Sequence, residues 1–191
     1  MEFRQYAELA SRTAEDPHGI KWPGTGALNH LHALIGLATE LAELSAAIRS
    51  PEHSWHVVEE LGDCWWYLAL GISCQKCHES LSAQPPAPSL HDRPSTLIRE
   101  LLDLVGESLD VLKRRIFYGA DGSDRKASFS RIKYRQMADI MFRLGNVFGV
   151  PPKTAWEANL KKLEKRYPGK FNREDALHRD LEEERSVGAS E

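Results

Sequence analysis

GLATELAELSAAIRSPEHSWHVVEELGDCWWYLALGIS, residues 36–73, is the stretch that decides the fold. Read with the residues just before it, it holds two helical periods on either side of Pro51. From Leu28 to Ile48, the positions Leu31, Leu34, Ile35, Ala38, Leu41, Ala42 and Ile48 fall on one apolar stripe at i, i+3, i+4 spacing. From Ser54 to Ser73, Val57, Val58, Leu61, Cys64, Trp65, Leu68 and Ile72 do the same. Arg49 to Ser54 is too short to be anything but a connection, and proline cannot continue a helix through it. The stretch therefore predicts a helical hairpin.

Working outward, the linker Ser82 to Pro94 contains QPPAPS, which forbids a helix. Helical patterning resumes over Ser95 to Tyr118 and Arg131 to Phe148, separated by the polar loop GADGSDRKAS. Pro151 and Pro152 precede a fifth helix, Lys153 to Arg166, and a charged tail closes the chain. No alternating β-branched run is long enough to anchor a sheet. The expectation is an all-α fold in one domain, residues 1–191, with a four-helix core of two helical hairpins and flanking N- and C-terminal helices.

The two hairpins resemble each other. GLATELAELSAAI can be laid on DLVGESLDVLKRR, placing Glu40 over Glu107 and Glu43 over Asp110. EELGDCWWYLALGI can be laid on RQMADIMFRLGNVF, placing Asp63 over Asp139 and Glu60 over Gln136. Two explanations stand: an internal duplication, or the chance likeness of two amphipathic helix pairs. Under the first, residues 1–81 form a metal-binding half, 82–94 a linker, and 95–191 a degenerate second half that has lost one acid.

Four carboxylates mark the first half. Glu40 and Glu43 lie about 60° apart around their helix, at about 100° per residue, on a face shared with Ala33, Gly36 and Ala47 and opposite the apolar stripe. On the second helix His56, Glu60, Asp63 and Tyr67 follow i, i+4, i+7, i+11, again one face. Antiparallel packing brings both acid pairs together, and four carboxylates at close range repel unless a cation neutralises them. Oxygen-only donors suit a hard cation, Mg²⁺ with Mn²⁺ as a substitute, rather than zinc. A solvated acidic face is the competing reading, and the commoner fate of an isolated E-x-x-E.

Composition sets outer bounds. Apolar residues are 41%, charged residues 28% and the formal net charge −3, which attracts neither nucleic acid nor an anionic membrane surface as a whole. No stretch is read as the roughly 18–20 apolar residues that span a bilayer, and Met1 to Arg12 has no signal-type apolar core. A cytoplasmic protein is the expectation, and three cysteines argue against a disulfide framework.

Glu40-x-x-Glu43, sixteen intervening residues, then Glu60-x-x-Asp63 within EELGDCWWYL resembles the MazG-like nucleoside triphosphate pyrophosphohydrolases of the all-α NTP pyrophosphatase superfamily, which also holds the helical dUTPases. The opening FRQYAELASRTA and the run NLKKLEKRYPGKFNREDALHRD, residues 159–180, are similar to the ends of many bacterial and phage members. One departure is that LKRRIFYG, residues 112–119, follows the second-half acids instead of the first. The resemblance implies Mg²⁺-dependent cleavage of a (deoxy)nucleoside triphosphate between the α and β phosphates. It implies Glu40, Glu43, Glu60 and Asp63 as metal ligands, with Glu43 or Glu40 also acting on the attacking water. It implies Asn159, Lys162 and Arg166 as nucleotide contacts and adds Lys113 and Arg114 from the basic segment, whose competing reading is a solvated helix face. Trp22, in the loop GIKWPGTG, is a candidate to close over a base. Family analogy favours a homo-oligomer, a dimer or a dimer of dimers. A dUTPase-like enzyme that also takes dUDP, or a silent nucleotide- or partner-binding module, are the alternatives.

Other signals are set aside. Cys74-Gln-Lys-Cys77-His78 has the spacing of c-type haem attachment, which requires export, and a single C-x-x-C with His91 is a weak zinc signal. His53, His56 and Glu59 lack the paired Glu-x-x-His of di-iron bundles, which leaves His56 beside the site or on the surface. No Walker-type glycine loop and no G-x-S-x-G elbow is present.

Overall fold

The computed structural model describes residues 24–49, 54–76, 87, 89–119 and 124–167. Among these it is all-helical, with α1 Thr25–Arg49, α2 Ser54–Cys74, α3 Pro94–Phe117, α4 Asp124–Phe148 and α5 Pro152–Arg166, and no strand. Trp22, His53, Cys77 and His78 lie outside the described residues.

The packing forms a circuit: α1 against α2, α2 against α4, α4 against α3, and α3 back against α1. Leu34, Leu37, Leu41 and Leu44 of α1 meet Leu61, Cys64, Leu68 and Ile72 of α2 inside it, with Leu97, Leu101, Met137, Met141 and Leu144 from the other pair. α5 lies on α2. Gln75 at the end of α2 reaches His30 near the start of α1, so the first two helices run antiparallel.

Helix ends follow local chemistry. α3 begins with Pro94 at its first position, where a missing N–H costs nothing. α4 stops at Gly149, whose φ of 66° suits glycine. There the Gly149 N–H donates to the Asn146 carbonyl and the Val150 N–H to the Gly145 carbonyl, a Schellman closure that satisfies two orphan acceptors. Pro152 then opens α5.

Four expectations need correction. α4 begins at Asp124, seven residues before Arg131, because DRKASFS contains neither glycine nor proline to stop the helix from extending backwards. In α1 the buried row is Leu34, Leu37, Leu41 and Leu44, whereas Ile35 is 49% exposed and Ala42 also faces outward. The small-residue face is not opposite the core: Ala33 and Gly36 are buried, and Gly36 carries the Tyr67 ring where a Cβ would clash. Finally, α1 is long and apolar enough over an 18-residue window, mean hydropathy 1.4, to cross a bilayer by length and composition alone. Leu34, Leu37, Leu41 and Leu44 are buried in the core, whereas Leu28 and Ile35 of the same helix face outward, and 33% of that window is buried.

Two close fits yield predictions. A Cβ on Gly71 would lie 2.4 Å from the hydroxyl oxygen of Tyr134, a side chain with 1% exposure and no room to retreat. Gly71→Ala is expected to cost about 1–3 kcal/mol, read from urea denaturation midpoints. His30 is buried in the same region, its Nδ1 accepting from Gln75 Nε2 at 3.1 Å and its ring 5.7 Å from that of Tyr134. Burial, then the nearby Arg115 charge, lowers its pKa to about 4. Between pH 6.5 and 4 the unfolded chain therefore takes up a proton that the folded one refuses, and stability falls as pH drops through that window. The loss approaches about 3 kcal/mol, and His30→Gln is expected to flatten that part of the stability–pH curve.

Candidate metal and phosphate site

Antiparallel packing of α1 on α2 sets Glu40 against Glu60 and Asp63. One carboxylate oxygen from each of the three lies within 4.8 Å of the others. All three are half-buried, between the leucines below and solvent above. Glu43 is exposed and outside this trio, although its charge reaches Glu60. The four expected ligands thus divide into three converging acids and one at the rim.

Glu60 is the strained member. Its Oε2 is buried and has no hydrogen-bond partner among the described residues. Burial first, then the charges of Asp63, Glu43, Glu40 and Glu59, push its pKa up to about 8. Without a cation the cluster therefore holds a proton at neutral pH, since neighbouring carboxylates cannot all ionise in a partly dry site. Cys64, directly beneath, is pushed well above the ordinary thiol range by burial and the same acids, so it remains a protonated core side chain.

α5 closes the other side. Asn159 is buried and its Nδ2 donates to Asp63 Oδ1 at 2.6 Å. One turn on, Lys162 Nζ donates to the second oxygen of Asp63 and, at 3.2 Å, to Glu59 Oε1. Burial works against the Lys162 charge, but Asp63 and Glu59 more than offset it and the pKa is raised. Two of the three expected C-terminal contacts are therefore at the acids. Arg166, the third, lies in the last turn of α5, its guanidinium 6.0 Å from the Tyr167 ring centre.

Lys113 and Arg114 are placed differently. Both pair with Asp110 of their own helix, at 2.7 and 2.8 Å, rather than with any of the four acids. Glu107, matched to Glu40, is paired with Lys133 of α4. In the second half the matched acids Glu107 and Asp110 thus have basic partners, and in the first half Lys162 reaches Asp63 of the cluster.

Three further residues shape the site: Glu59, weighed from sequence only within a di-iron pattern, Gly62, not singled out, and Tyr67, placed on the acid face without a role. Glu59 shares Lys162 with Asp63, and with His56 and Glu60 it forms a second group whose ligand atoms lie within 4.8 Å. Gly62 lets α5 approach, because a Cβ there would lie 2.7 Å from the Ala155 carbonyl oxygen. Tyr67 fills the space over Gly36 and packs edge-on against His32, with ring centres 5.5 Å apart. The signal available for Gly62 was a glycine inside a strong helical period, where it costs about 1 kcal/mol against alanine.

Oxygen donors around a partly dry carboxylate that lacks a partner fit a hard divalent cation such as Mg²⁺. No protein-family model matches the chain, and neither a curated protein nor a solved structure matches it significantly.

Proposed function

We propose that the protein is a Mg²⁺-dependent nucleoside triphosphate pyrophosphohydrolase of MazG-like type, releasing a nucleoside monophosphate and pyrophosphate. The observation that carries this reading is the convergence of Glu40, Glu60 and Asp63 with Asn159 and Lys162, residues remote in sequence. Converging carboxylates beside a buried lysine suit a metal–phosphate complex, in which the metal takes the acids and the lysine a phosphate oxygen.

Glu40, Glu60 and Asp63 would hold the metal, with Glu43 at the rim. When bound, the metal supplies charge neutralisation of the phosphates and an acidified water. Lys162 exchanges Asp63 for a phosphate oxygen, and Asn159 keeps Asp63 oriented. Exposed Glu43 holds and accepts a proton from the attacking water. Lys113 and Arg114 pair with Asp110 on their own helix and not with the acids of the site, so phosphate contact is assigned to Lys162 and Arg166.

The two-hairpin core with a C-terminal flanking helix, and its origin by duplication, are supported by the packing circuit and by matched burial of Leu61 with Met137, Trp65 with Met141 and Leu68 with Leu144, while the expected N-terminal helix lies outside the described residues. Pairing of chains follows the family analogy, and a cytoplasmic setting suits a nucleotide substrate.

Ion-exchange analysis of each (d)NTP, and of dUDP, incubated with the protein with and without Mg²⁺ tests the reading. Monophosphate plus pyrophosphate only with metal is the expected result. Release of orthophosphate, or no turnover of any nucleotide, would overturn it, and cleavage of dUDP would shift it to the dUTPase-like alternative.

A further inference from the structure

Basic residues are unevenly spread along the chain. KRRIFYG, residues 113–119, and RIKYR, residues 131–135, hold six of the 25 Lys and Arg and no acid, while the other 19 share the chain with 28 acids. A net charge of −3 therefore hides one strongly positive region. Neither segment belongs to the acid site, which is built from α1, α2 and α5.

The fold brings the two segments together. Arg143 near the end of α4 pairs with Asp92 and Glu100 at the start of α3, and Lys133 near the start of α4 pairs with Glu107, so the two helices run antiparallel. Lys113 lies six residues past Glu107, about 9 Å further along α3, and Arg131 lies two residues before Lys133. Both segments therefore run to the same end of the α3–α4 pair. Lys113, Arg114, Arg115, Arg131 and Arg135 are exposed and Lys133 is half-buried. Asp110 pairs with Lys113 and Arg114, and Glu107 with Lys133, which sets two carboxylates against six cations. The C-terminal end of α3 carries about half a negative charge, so helix capping accounts for only a small part of the excess.

Apolar surface is interleaved with this charge. Tyr118 is 67% exposed, Ile132 55% and Phe117 39%. Beside them, where α3 meets α1, a cleft of about 290 Å³ is walled by Leu31, Leu109 and Phe117 and bordered by Lys113.

We infer that this end of the α3–α4 pair binds single-stranded nucleic acid, with phosphates on the exposed cations and a base on Phe117 and Tyr118. The inference is independent of the hydrolase reading. Cations that track a backbone and aromatic faces that stack bases are the two requirements for holding a strand without reading its sequence. A duplex keeps its bases stacked on one another and would use the charge alone. An anionic bilayer offers the same charge complementarity, but helices that lie in it bury a continuous apolar face. Here Glu107, Asp110 and three consecutive cations interrupt any such face.

Fluorescence anisotropy tests this, with labelled oligouridylate and oligothymidylate of about 15 nucleotides titrated with the full chain in EDTA, at salt between about 50 and 200 mM. Both strands should bind, and the tighter of the two identifies the strand the surface is built for. The logarithm of the association constant should fall with that of salt at a slope of about −2 to −3, as for three or four neutralised phosphates. Tyr118→Ala should weaken binding about tenfold or more at fixed salt and leave the slope unchanged. The double variant Arg115→Ala/Arg131→Ala should instead reduce the steepness by about one to one and a half. All three replaced side chains are exposed, so the variants are expected to fold. No saturation by either strand would overturn the inference, as would undiminished affinity in Tyr118→Ala or an unchanged slope in the double variant. Tighter binding to phosphatidylserine vesicles than to either oligonucleotide would also overturn it and assign the surface to a membrane.

Discussion

Glu60→Gln is expected to stabilise the metal-free protein at pH 7–8 while abolishing its stabilisation by Mg²⁺. Glu60 has a folded-state pKa of about 8 against an ordinary 4.5, so the native state holds a proton that the unfolded chain has released. Stability therefore falls as pH rises from 4.5 to 8, by 1.36 kcal/mol per pH unit at the steepest. With allowance for partial exposure, the cost at pH 7 is about 2–3 kcal/mol. Glutamine matches the protonated carboxyl in shape and carries no charge in either state, so the variant escapes this cost. Urea denaturation in EDTA at pH 5 and pH 8 measures it. The variant and wild type should differ little at pH 5, and the variant should be more stable at pH 8. With Mg²⁺ at about a hundred times its dissociation constant the wild type gains about 2.7 kcal/mol and the variant almost nothing. Turnover should fall at least about a hundredfold, since a metal's charge stabilisation is worth several kcal/mol. A variant less stable than wild type at pH 8 in EDTA would show that Glu60 is not the protonated member of the cluster.

Much of this site was legible because helical periodicity converts spacing into geometry. Glu60 and Asp63 are one turn apart, and any packing that buries Val57, Leu61, Cys64 and Leu68 against α1 turns both towards the neighbouring helix edge. The stripe of α2 was read correctly for the same reason. The stripe of α1 was not, because that helix is apolar nearly all round: Leu28 and Ile35 are exposed while Leu37 and Leu44 are buried, and periodicity cannot choose between two apolar faces. Choosing requires knowing that α3 lies beside it. The start of α4 was missed because a polar sequence without glycine or proline reads equally as loop or exposed helix.

Other features depend on contacts that no local pattern encodes. The resemblance singled out Asn159 and Lys162 as nucleotide contacts, but their meeting with Asp63 was not foreseen, and it spans nearly a hundred residues, with separations of 96 and 99. Gly62 makes it feasible, yet the glycine carries no chemistry of its own. The commitment of Lys113 and Arg114 to Asp110 was readable in principle from their i+3 and i+4 spacing.

Lys162→Met is expected to act with the opposite sign to Glu60→Gln. The ammonium is 11% exposed and hydrogen-bonded to Asp63 and Glu59 while Glu60 and Glu40 stand close by. Removing it leaves two carboxylates without a cation. Breaking one partner of a buried pair costs about 3–5 kcal/mol, and partial exposure of the acids reduces this to about 2–3 kcal/mol in EDTA. Mg²⁺ should recover part of that loss, because it supplies positive charge to Asp63, so the variant gains more from the metal than the wild type does. Catalysis should nevertheless fall about a hundredfold or more, since the metal cannot replace a lysine on the phosphates. Glu60→Gln/Lys162→Met then removes one negative and one positive charge together. If the two residues belong to one charge balance, its stability at pH 8 in EDTA should be close to that of wild type. Coupling energies between groups in direct electrostatic contact run to about 0.5–3 kcal/mol, within reach of a double-mutant cycle. Stability losses in Lys162→Met that Mg²⁺ leaves untouched would locate the role of Lys162 in packing α5 onto α2. The acid cluster would then need another cation to explain why it tolerates so much charge.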